Sequence, residues 1–180
     1  CQWLAQQQVN KRSSPSPNGQ FAQSSLSCDC LARRWASFGE SKVSEKFSRK
    51  QRVLELLQRV WGEGNLDRIE ALIAETYTIH HDPGDPWHGR VLTVQEYADR
   101  VVKSRAPFPD QKFDVVELLE DGEKVAVAWN WAGTHLGEIA GFAPTGRILA
   151  MSGCTIYHFN GELLAGHWQI TDRLSIFQQL

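Results

Sequence analysis

Two side chains in the last third of this chain have the chemistry of an acid/base pair, His158 and Asp172. Both lie within or at the end of apolar, β-rich runs, in the segment WNWAGTHLGEIAGFAPTGRILAMSGCTIYHFNGELLAGHWQITD. Burying a polar group without a partner costs about 1–3 kcal/mol in proteins. A polar side chain inside such a run therefore needs either a hydrogen-bond partner or a cavity that holds a ligand.

Asp172 is a candidate general base if it faces an apolar cavity. Burial disfavours the charged form of a carboxyl group and moves its pKa toward the working range, so one carboxylate can accept a proton and later return it. His158 could donate a hydrogen bond to a substrate oxygen. A structural alternative stays open for each residue: Asp172 as the N-cap of a final helix, and His158 as a core histidine satisfied by the backbone.

The other histidines form no metal-binding pattern. His80 and His81 are adjacent, so on a strand they point to opposite faces and cannot bind one ion together. A site built from His81, His135 and Asp172 has no spacing signature, and no metal site is predicted. His135, in the GTH motif, either lines the cavity or hydrogen-bonds the following loop.

Helices early in the folded part would position these residues. Apolar spacing predicts helices over residues 48–61 and 66–74, and the capping box Thr93-x-x-Glu96 opens a third. A last helix is predicted over residues 173–180. Trp87 lies in the Pro- and Gly-containing loop HHDPGDPWHG, which could close over a cavity.

Strand signals fill most of the rest of the chain. Residues 76–80 are β-branched and predict a short edge strand. Asp121-Gly122 and Asn160-Gly161 are strong hairpin turns. They join four longer strands, which are predicted over residues 112–119, 124–135, 147–159 and 162–171. Helices followed by a run of antiparallel strands predict an α+β fold, in which three helices on the concave side of a strongly curved sheet enclose a cone-shaped cavity.

Alternation along the strands predicts which side chains face that cavity. Trp129 and Trp131 belong to the large apolar set of their strand and are predicted to point inward. In the last strand, Trp168 and Asp172 share a face and are predicted to point inward, with His167 on the outer face. Residues 147–159 are apolar on both faces, which indicates that the outer face of the sheet is covered in a homodimer.

Composition narrows the class of partner and the location. The net charge is -2, which excludes a basic nucleic-acid or anionic-membrane surface, and no apolar run approaches the roughly 20 residues of a membrane span. The four cysteines fit neither a disulfide framework nor a zinc site, which favours the cytoplasm. Residues 1–44 are polar and predict a disordered or loosely docked tail, followed by a domain over residues 45–180.

The motifs GTHLGEIAGFAPTGR, GCTIYHFNGELLAGHW and D-x-L-x-x-x-Q-Q-L, with APFPD and VAVAWNWAGTH, occur in order over residues 50–180. In these motifs the chain resembles the SnoaL-like polyketide cyclase family. The resemblance implies the cone-shaped NTF2-like fold shared with ketosteroid isomerase. It also implies ring closure by intramolecular aldol condensation without metal or cofactor, with Asp172 as the acid/base and His158 as a hydrogen-bonding partner. A glutamine two residues before that histidine in characterised members is Ile156 here, so one oxygen-anchoring group is missing.

Three functions follow from this sequence. The first is a cofactor-independent lyase, isomerase or cyclase acting on a small hydrophobic ligand. The second is a non-catalytic module that binds such a ligand in the same cavity. The third is an epoxide hydrolase, which needs an Asp-Arg-Asp relay that the sequence does not assemble, although Asp99 and Arg100 lie on a helix. The residues predicted to contact the ligand are Trp87, Trp129, Trp131, His81, His135, Ile156 and Trp168.

Overall fold

A six-stranded curved sheet organises the domain in a computed structural model that describes residues 48–180. The predicted tail, residues 1–44, lies outside the described residues. The strands are β1 (Ile73–His81), β2 (Val91–Thr93), β3 (Lys112–Asp121), β4 (Lys124–Thr134), β5 (Ile148–Asn160) and β6 (Leu163–Thr171). Their order in the sheet is β2-β1-β6-β5-β4-β3, and β1 runs parallel to β6 while every other neighbouring pair is antiparallel. This is the predicted α+β fold with a mostly antiparallel sheet.

Helices precede and follow the strands as the apolar spacing predicts, but the second predicted helix, residues 66–74, ends at Leu72, because Ile73 already belongs to β1. They are α1 (Arg49–Glu55), which continues as a π-helix over Leu56–Gly62, a 3-10 turn (Leu66–Arg68), α2 (Ile69–Leu72), α3 (Val94–Arg105) and α4 (Arg173–Gln179). The capping box predicted at Thr93 and Glu96 is present: the Thr93 side chain accepts from the Glu96 backbone N–H, and Glu96 accepts from the Thr93 backbone N–H. Local signals thus set where α3 begins.

The strand β1 departs from its prediction. It spans nine residues rather than five, and it lies inside the sheet between β2 and β6 rather than at an edge. The short strand β2, which was not predicted, pairs with it through Tyr77 opposite Leu92. Tyr77 and Ile79 are fully buried, because the helices cover one face of β1 and strands pair along both of its sides.

The central strands β4 and β5 put alternate side chains into the core. On β4 the predicted inward set is buried, including Trp129 and Trp131. The side chains of β5 that point inward are the odd-numbered ones, because Thr155 lies opposite Val127 and Tyr157 lies opposite Val125. The parity predicted for β4 is therefore correct, and it fixes the parity of β5, which the sequence left open.

The parity predicted for β6 is wrong, and a β-bulge is the reason. Phe159 pairs with Leu164, but His158 pairs with Gly166, so Ala165 is an extra residue on the β6 side. An extra residue reverses the alternation beyond it. Leu164 and His167 consequently both point inward, whereas Trp168 is 38% exposed on the outer face.

Candidate functional site

An aromatic cavity of about 700 Å³ lies between the concave face of the sheet and the helices. Its volume is within the range of small-molecule pockets, which is about 300–1,000 Å³. Trp87, Trp129 and Trp131, predicted to contact a ligand, lie in its wall. The other aromatic wall residues are Trp61, Tyr77, Tyr97, Phe108, Phe113, Tyr157 and Phe177. The space suits a flat, largely apolar guest.

A buried carboxylate, Asp82, gathers donors from three different elements beside the cavity. Its Oδ1 accepts from Arg173 Nη2 at 2.7 Å at the start of α4. Its Oδ2 accepts from Arg100 Nη2 at 3.3 Å on α3 and from Gln169 Nε2 at 3.2 Å on β6. Asp82 is completely buried, directly after β1. The carboxylate therefore ties the loop after β1 to the helices and to β6.

A second carboxylate completes the ion pairing. Asp85 Oδ2 lies 3.0 Å from Arg100 Nη2 and 3.7 Å from Arg173 Nη2, and its Oδ1 accepts from the Trp87 backbone N–H at 2.8 Å. The Arg100 guanidinium lies 5.0 Å from the ring centroid of Trp61 and 5.8 Å from that of Trp87. Two carboxylates and two guanidinium groups thus form one cluster, in which Arg100 also lies against two aromatic rings.

The buried histidine His167 lies next to this cluster. Its Nδ1 is 2.9 Å from the Tyr77 hydroxyl, and its Nε2 lies 3.7 Å from Asp82 Oδ2, too far for a hydrogen bond. Nε2 is buried and has no hydrogen-bond partner among the described residues. His167 is among the residues that line the cavity.

Burial and charge set the protonation states of these groups. Burial opposes the charged form of His167 and, despite the nearby carboxylate of Asp82, keeps the pKa of His167 below its usual value. Burial alone would raise the pKa of Asp82, but the guanidinium groups of Arg173 and Arg100 outweigh burial and hold that pKa below its usual range. Burial raises the pKa of the Tyr77 hydroxyl well above its ordinary value. At neutral pH the site holds an ionised carboxylate, a neutral imidazole and a neutral phenol.

The two residues predicted to be catalytic lie away from the wall of this cavity. Asp172 is exposed and caps α4, accepting from the Ser175 backbone N–H at 3.1 Å, which is the structural alternative left open for it. It borders a second, more open depression. His158 is half-buried on the outer face, with its ring 4.8 Å from that of His80. A catalytic role for either residue stays a prediction that these positions do not favour.

Four residues predicted to contact a ligand also lie outside the cavity wall. His81 stacks on Trp168 with ring centroids 4.7 Å apart, and Ile156 pairs with Trp168 on the outer face. His135 is fully buried, and its Nδ1 lies 3.1 Å from Thr145 Oγ1 of the following loop. That loop contact is one of the two alternatives predicted for His135.

Of the residues in the polar cluster, the sequence singled out only Arg100, as a possible member of an Asp-Arg-Asp relay. One signal was present: Arg100 falls on the buried face of α3 between Tyr97 and Val101, and a charged residue in an apolar stripe needs a partner. Nothing local marks Asp82 as that partner, because the two are 18 residues apart and belong to different elements.

Residues 48–180 contain neither a cluster of three or more metal-binding side chains nor a helix that could span a membrane. Within residues 48–180 no three His, Cys, Asp or Glu side chains lie close enough to hold a metal ion together. Over the same residues no helix is long and apolar enough to cross a membrane. The prediction that the protein works without a cofactor stays a prediction.

The fold and the site define a class of α+β proteins that enclose a small-molecule cavity between a curved sheet and its helices. The family model for SnoaL-like polyketide cyclases matches residues 51–180, and the chain belongs to that family. This confirms the resemblance stated from the sequence motifs. No curated protein matches the chain.

Solved structures agree with the family. A candidate polyketide cyclase from Acidithiobacillus ferrooxidans is 48% identical, with a TM-score of 0.71, and the match covers 77% of this chain and 96% of that one. IdmH, a candidate polyketide cyclase from Streptomyces antibioticus, is 24% identical with a TM-score of 0.63, over 74% of this chain and 98% of that one. A SnoaL-like protein from Jannaschia sp. CCS1 is 17% identical with a TM-score of 0.61, over 72% and 89%. The last two support the fold alone.

Proposed function

We propose that the protein is a cofactor-independent acid/base enzyme, a cyclase, lyase or isomerase, in which His167 moves the proton. One observation carries this proposal: a neutral, buried histidine lines an aromatic cavity and has one ring nitrogen without a partner. The family, whose model is named for polyketide cyclases, supports a substrate with carbonyl groups. This assignment replaces Asp172 and His158, which lie outside the cavity wall.

The Tyr77 hydroxyl can hydrogen-bond either tautomer of His167, because it can accept from a protonated Nδ1 or donate to an unprotonated one. When Nδ1 donates to Tyr77, Nε2 is unprotonated and accepts a proton from a carbon next to a substrate carbonyl. The imidazolium that forms is stabilised by Asp82, whose Oδ2 lies 3.7 Å from Nε2. In an aldol closure the enolate carbon then attacks a second carbonyl carbon, and the resulting alkoxide takes the proton back from Nε2. The net reaction is the making of one carbon–carbon bond, with no oxidant or reductant.

Hydrogen–deuterium exchange tests the proton transfer directly. An acetyl-bearing biphenyl incubated with the protein in D₂O should exchange its methyl protons, followed by NMR. Removing a general base typically costs about 10²–10⁴-fold, so His167→Gln should lose at least a hundredfold in exchange rate. The exposed His80 on the outer side provides a matched control, and His80→Gln should exchange at the wild-type rate.

Variants at the originally predicted residues separate the two assignments. Asp172→Asn and His158→Gln should keep the exchange rate within a few fold of wild type, because neither side chain lines the cavity. If either variant abolishes exchange while His167→Gln keeps it, the sequence-based pair is the acid/base system. If the wild type binds the ketone without exchanging it, the non-catalytic binding module is the better description.

One contact favours a second candidate, an epoxide hydrolase. Arg100 Nη2 lies 3.3 Å from Asp82 Oδ2 and 3.0 Å from Asp85 Oδ2, which is the Asp-Arg-Asp arrangement that the sequence did not assemble. A carboxylate in such a relay takes a proton from water, and the oxygen of that water bonds to an epoxide carbon. The C–O bond at that carbon breaks, and the released epoxide oxygen takes a proton from an acid. However, both Asp82 oxygens already accept hydrogen bonds. Diol formation from styrene oxide in ¹⁸O-water, detected by mass spectrometry, would support the hydrolase, and we expect none.

We also propose a homodimer that covers the outer face of the sheet, in the cytoplasm. Exposed apolar side chains support the dimer, and they are Leu119, Ile148, Trp168 and Ile170. Light scattering after size exclusion should give twice the monomer mass. A charged substitution, Ile170→Lys, should give the monomer, whereas a monomeric wild type would contradict the proposal.

A further inference from the structure

Two histidine rings lie side by side on the outer face of the sheet, on the side away from the cavity. His80 on β1 and His158 on β5 have ring centroids 4.8 Å apart, and the ring planes are tilted by 34°. Among residues 48–180 neither ring has a hydrogen-bond partner. A neutral imidazole always carries one nitrogen with a lone pair, so each ring offers a nitrogen that can bind a ligand.

A glycine on the strand between them lets the two rings meet. Gly166 on β6 pairs with His158 on one side and with Thr78 on the other. The Nε2 and Cδ2 atoms of His80 lie 3.0 Å and 3.2 Å from the place where a Cβ on Gly166 would stand. The His80 ring therefore reaches across β6, with its Nε2 edge above the glycine, into space that any other residue would fill.

A β-bulge in β1 turns both neighbouring histidines to this face. Ile79 pairs with His167 on the inner face. The next pair is His81 with Trp168, so His80 is an extra residue on β1. His81 consequently stacks on Trp168 on the outer face, beside His80. The expectation from strand alternation that His80 and His81 point to opposite faces is wrong.

The separation of the His80 and His158 rings fits the sharing of one metal ion. Imidazole nitrogens bind Zn²⁺ at about 2.0–2.1 Å, so two rings that share an ion at roughly 90–110° have centroids roughly 4.5–5.2 Å apart. The observed 4.8 Å lies within that range. Imidazole suits Cu²⁺, Ni²⁺ and Zn²⁺, and Cu²⁺ binds a given nitrogen site most tightly of these.

The protonation state of His158 favours a metal ion. Burial, the neighbouring His80 and Lys124 lower the pKa of the His158 imidazole, so this ring is neutral at neutral pH. Protons and metal ions compete for the same ring nitrogen, so a lowered pKa helps the metal. Lys124 lies opposite His158 on β4, and its exposed, flexible side chain can turn its charge into water.

We propose that His80 and His158 form a binding site for one divalent ion of the late first transition series, Cu²⁺ most tightly, with water in the remaining coordination positions. The site is on the other face of the sheet from the cavity, so the inference does not depend on the proposed function. It also stands at the margin of the proposed dimer surface, because Ile170 lies opposite Cys154, four residues from His158 along β5.

Cu²⁺ titration of the full chain by isothermal calorimetry tests the site, after the cysteines have been alkylated so that thiols neither bind nor reduce the ion. Loss of a residue that merely orients a ligand costs about 10–100-fold in metal affinity. His80→Gln and His158→Gln should therefore each weaken binding at least about tenfold. His81→Gln is the matched control, since it removes an adjacent histidine on the same face, and it should bind like the wild type.

Pulsed electron paramagnetic resonance counts the imidazoles on the bound Cu²⁺. The wild type should show two, and each of the variants His80→Gln and His158→Gln should show one. The wild-type count stands even if a variant does not fold.

One imidazole in the wild type, or unchanged affinity in both variants, would overturn the inference. Loss of binding in His81→Gln instead would move the site to His81 and His88, whose ring centroids are 5.5 Å apart, and would overturn it as well. Deuterium exchange of a ketone in the cavity is measured without copper, so it reports on the proposed function separately.

Discussion

Replacing Asp82 with asparagine tests the buried ion cluster most directly. Asp82 is fully buried, with Oδ1 bonded to Arg173 and Oδ2 to both Arg100 and Gln169. An asparagine has one acceptor oxygen, so its NH₂ group must face at least one of these donors. Removing one partner of a buried ion pair costs about 3–5 kcal/mol. Since Asp85 still pairs with both arginines, we expect a loss near the lower end, about 3 kcal/mol of unfolding free energy.

Urea denaturation followed by tryptophan fluorescence measures this loss. Asp114→Asn is the matched control, because Asp114 is exposed on β3, and its change should stay within about 0.5 kcal/mol. The pKa of Asp82 is lowered in the folded protein, so its stabilising contribution is fully present above the unfolded pKa, about 3.9, and is lost as the pH falls through the folded pKa. The difference between wild type and Asp82→Asn should therefore shrink below about pH 4. A loss of less than about 1 kcal/mol at pH 7 would refute the reasoning.

Two further predictions concern the base and the floor of the cavity. Because burial lowers the pKa of His167, the exchange rate should fall with acid only below about pH 6.5, and a pH profile of kcat/KM whose acid limb lies above that value would contradict the assignment. The same shift lowers the free energy of unfolding as the pH falls below about 6.5, because His167 binds a proton more readily in the unfolded chain than in the folded protein. In Gly153→Ala the new Cβ would lie 2.4 Å from Trp129 Cζ2 and 2.9 Å from the Ile170 carbonyl oxygen, so we expect a loss of about 1–3 kcal/mol in thermal denaturation. An unchanged melting temperature would show that Trp129 moves freely.

The parts of the fold that were predictable depend on local chemistry. The Asp121-Gly122 and Asn160-Gly161 turns lie between paired strands as predicted, with Gly122 and Gly161 at positive φ. In each turn the glycine is the first of the two central residues, and glycine adopts positive φ at little cost. The capping box of α3 and the alternation of β4 are equally local, since each depends on residues only two or three apart.

The parity of β6 could not be predicted, because it depends on how two neighbouring strands pair with it. Ala165 is an extra residue opposite β5, and the pairing of β1 with β6 shifts in the same region. Gly166 permits this close approach, since a Cβ there would lie 2.5 Å from the Thr78 carbonyl oxygen. A pattern of apolar and polar residues contains no signal for such a bulge. One misplaced residue therefore exchanged His167 and Trp168 between the cavity and the outer face.

The aromatic wall and the ion cluster depend on each other. A charged group stays ionised in an apolar cavity only if partners replace the water it has lost. Arg100 receives those partners from Asp82 and Asp85 on one side and from the ring faces of Trp61 and Trp87 on the other. Trp61 belongs to the π-helix Leu56–Gly62, a type of irregularity that often occurs at functional sites. The two rings thus contribute both to the apolar surface that would hold a ligand and to the pairing that fixes the charges beside His167, so a change in either ring should alter ligand binding and cluster stability together.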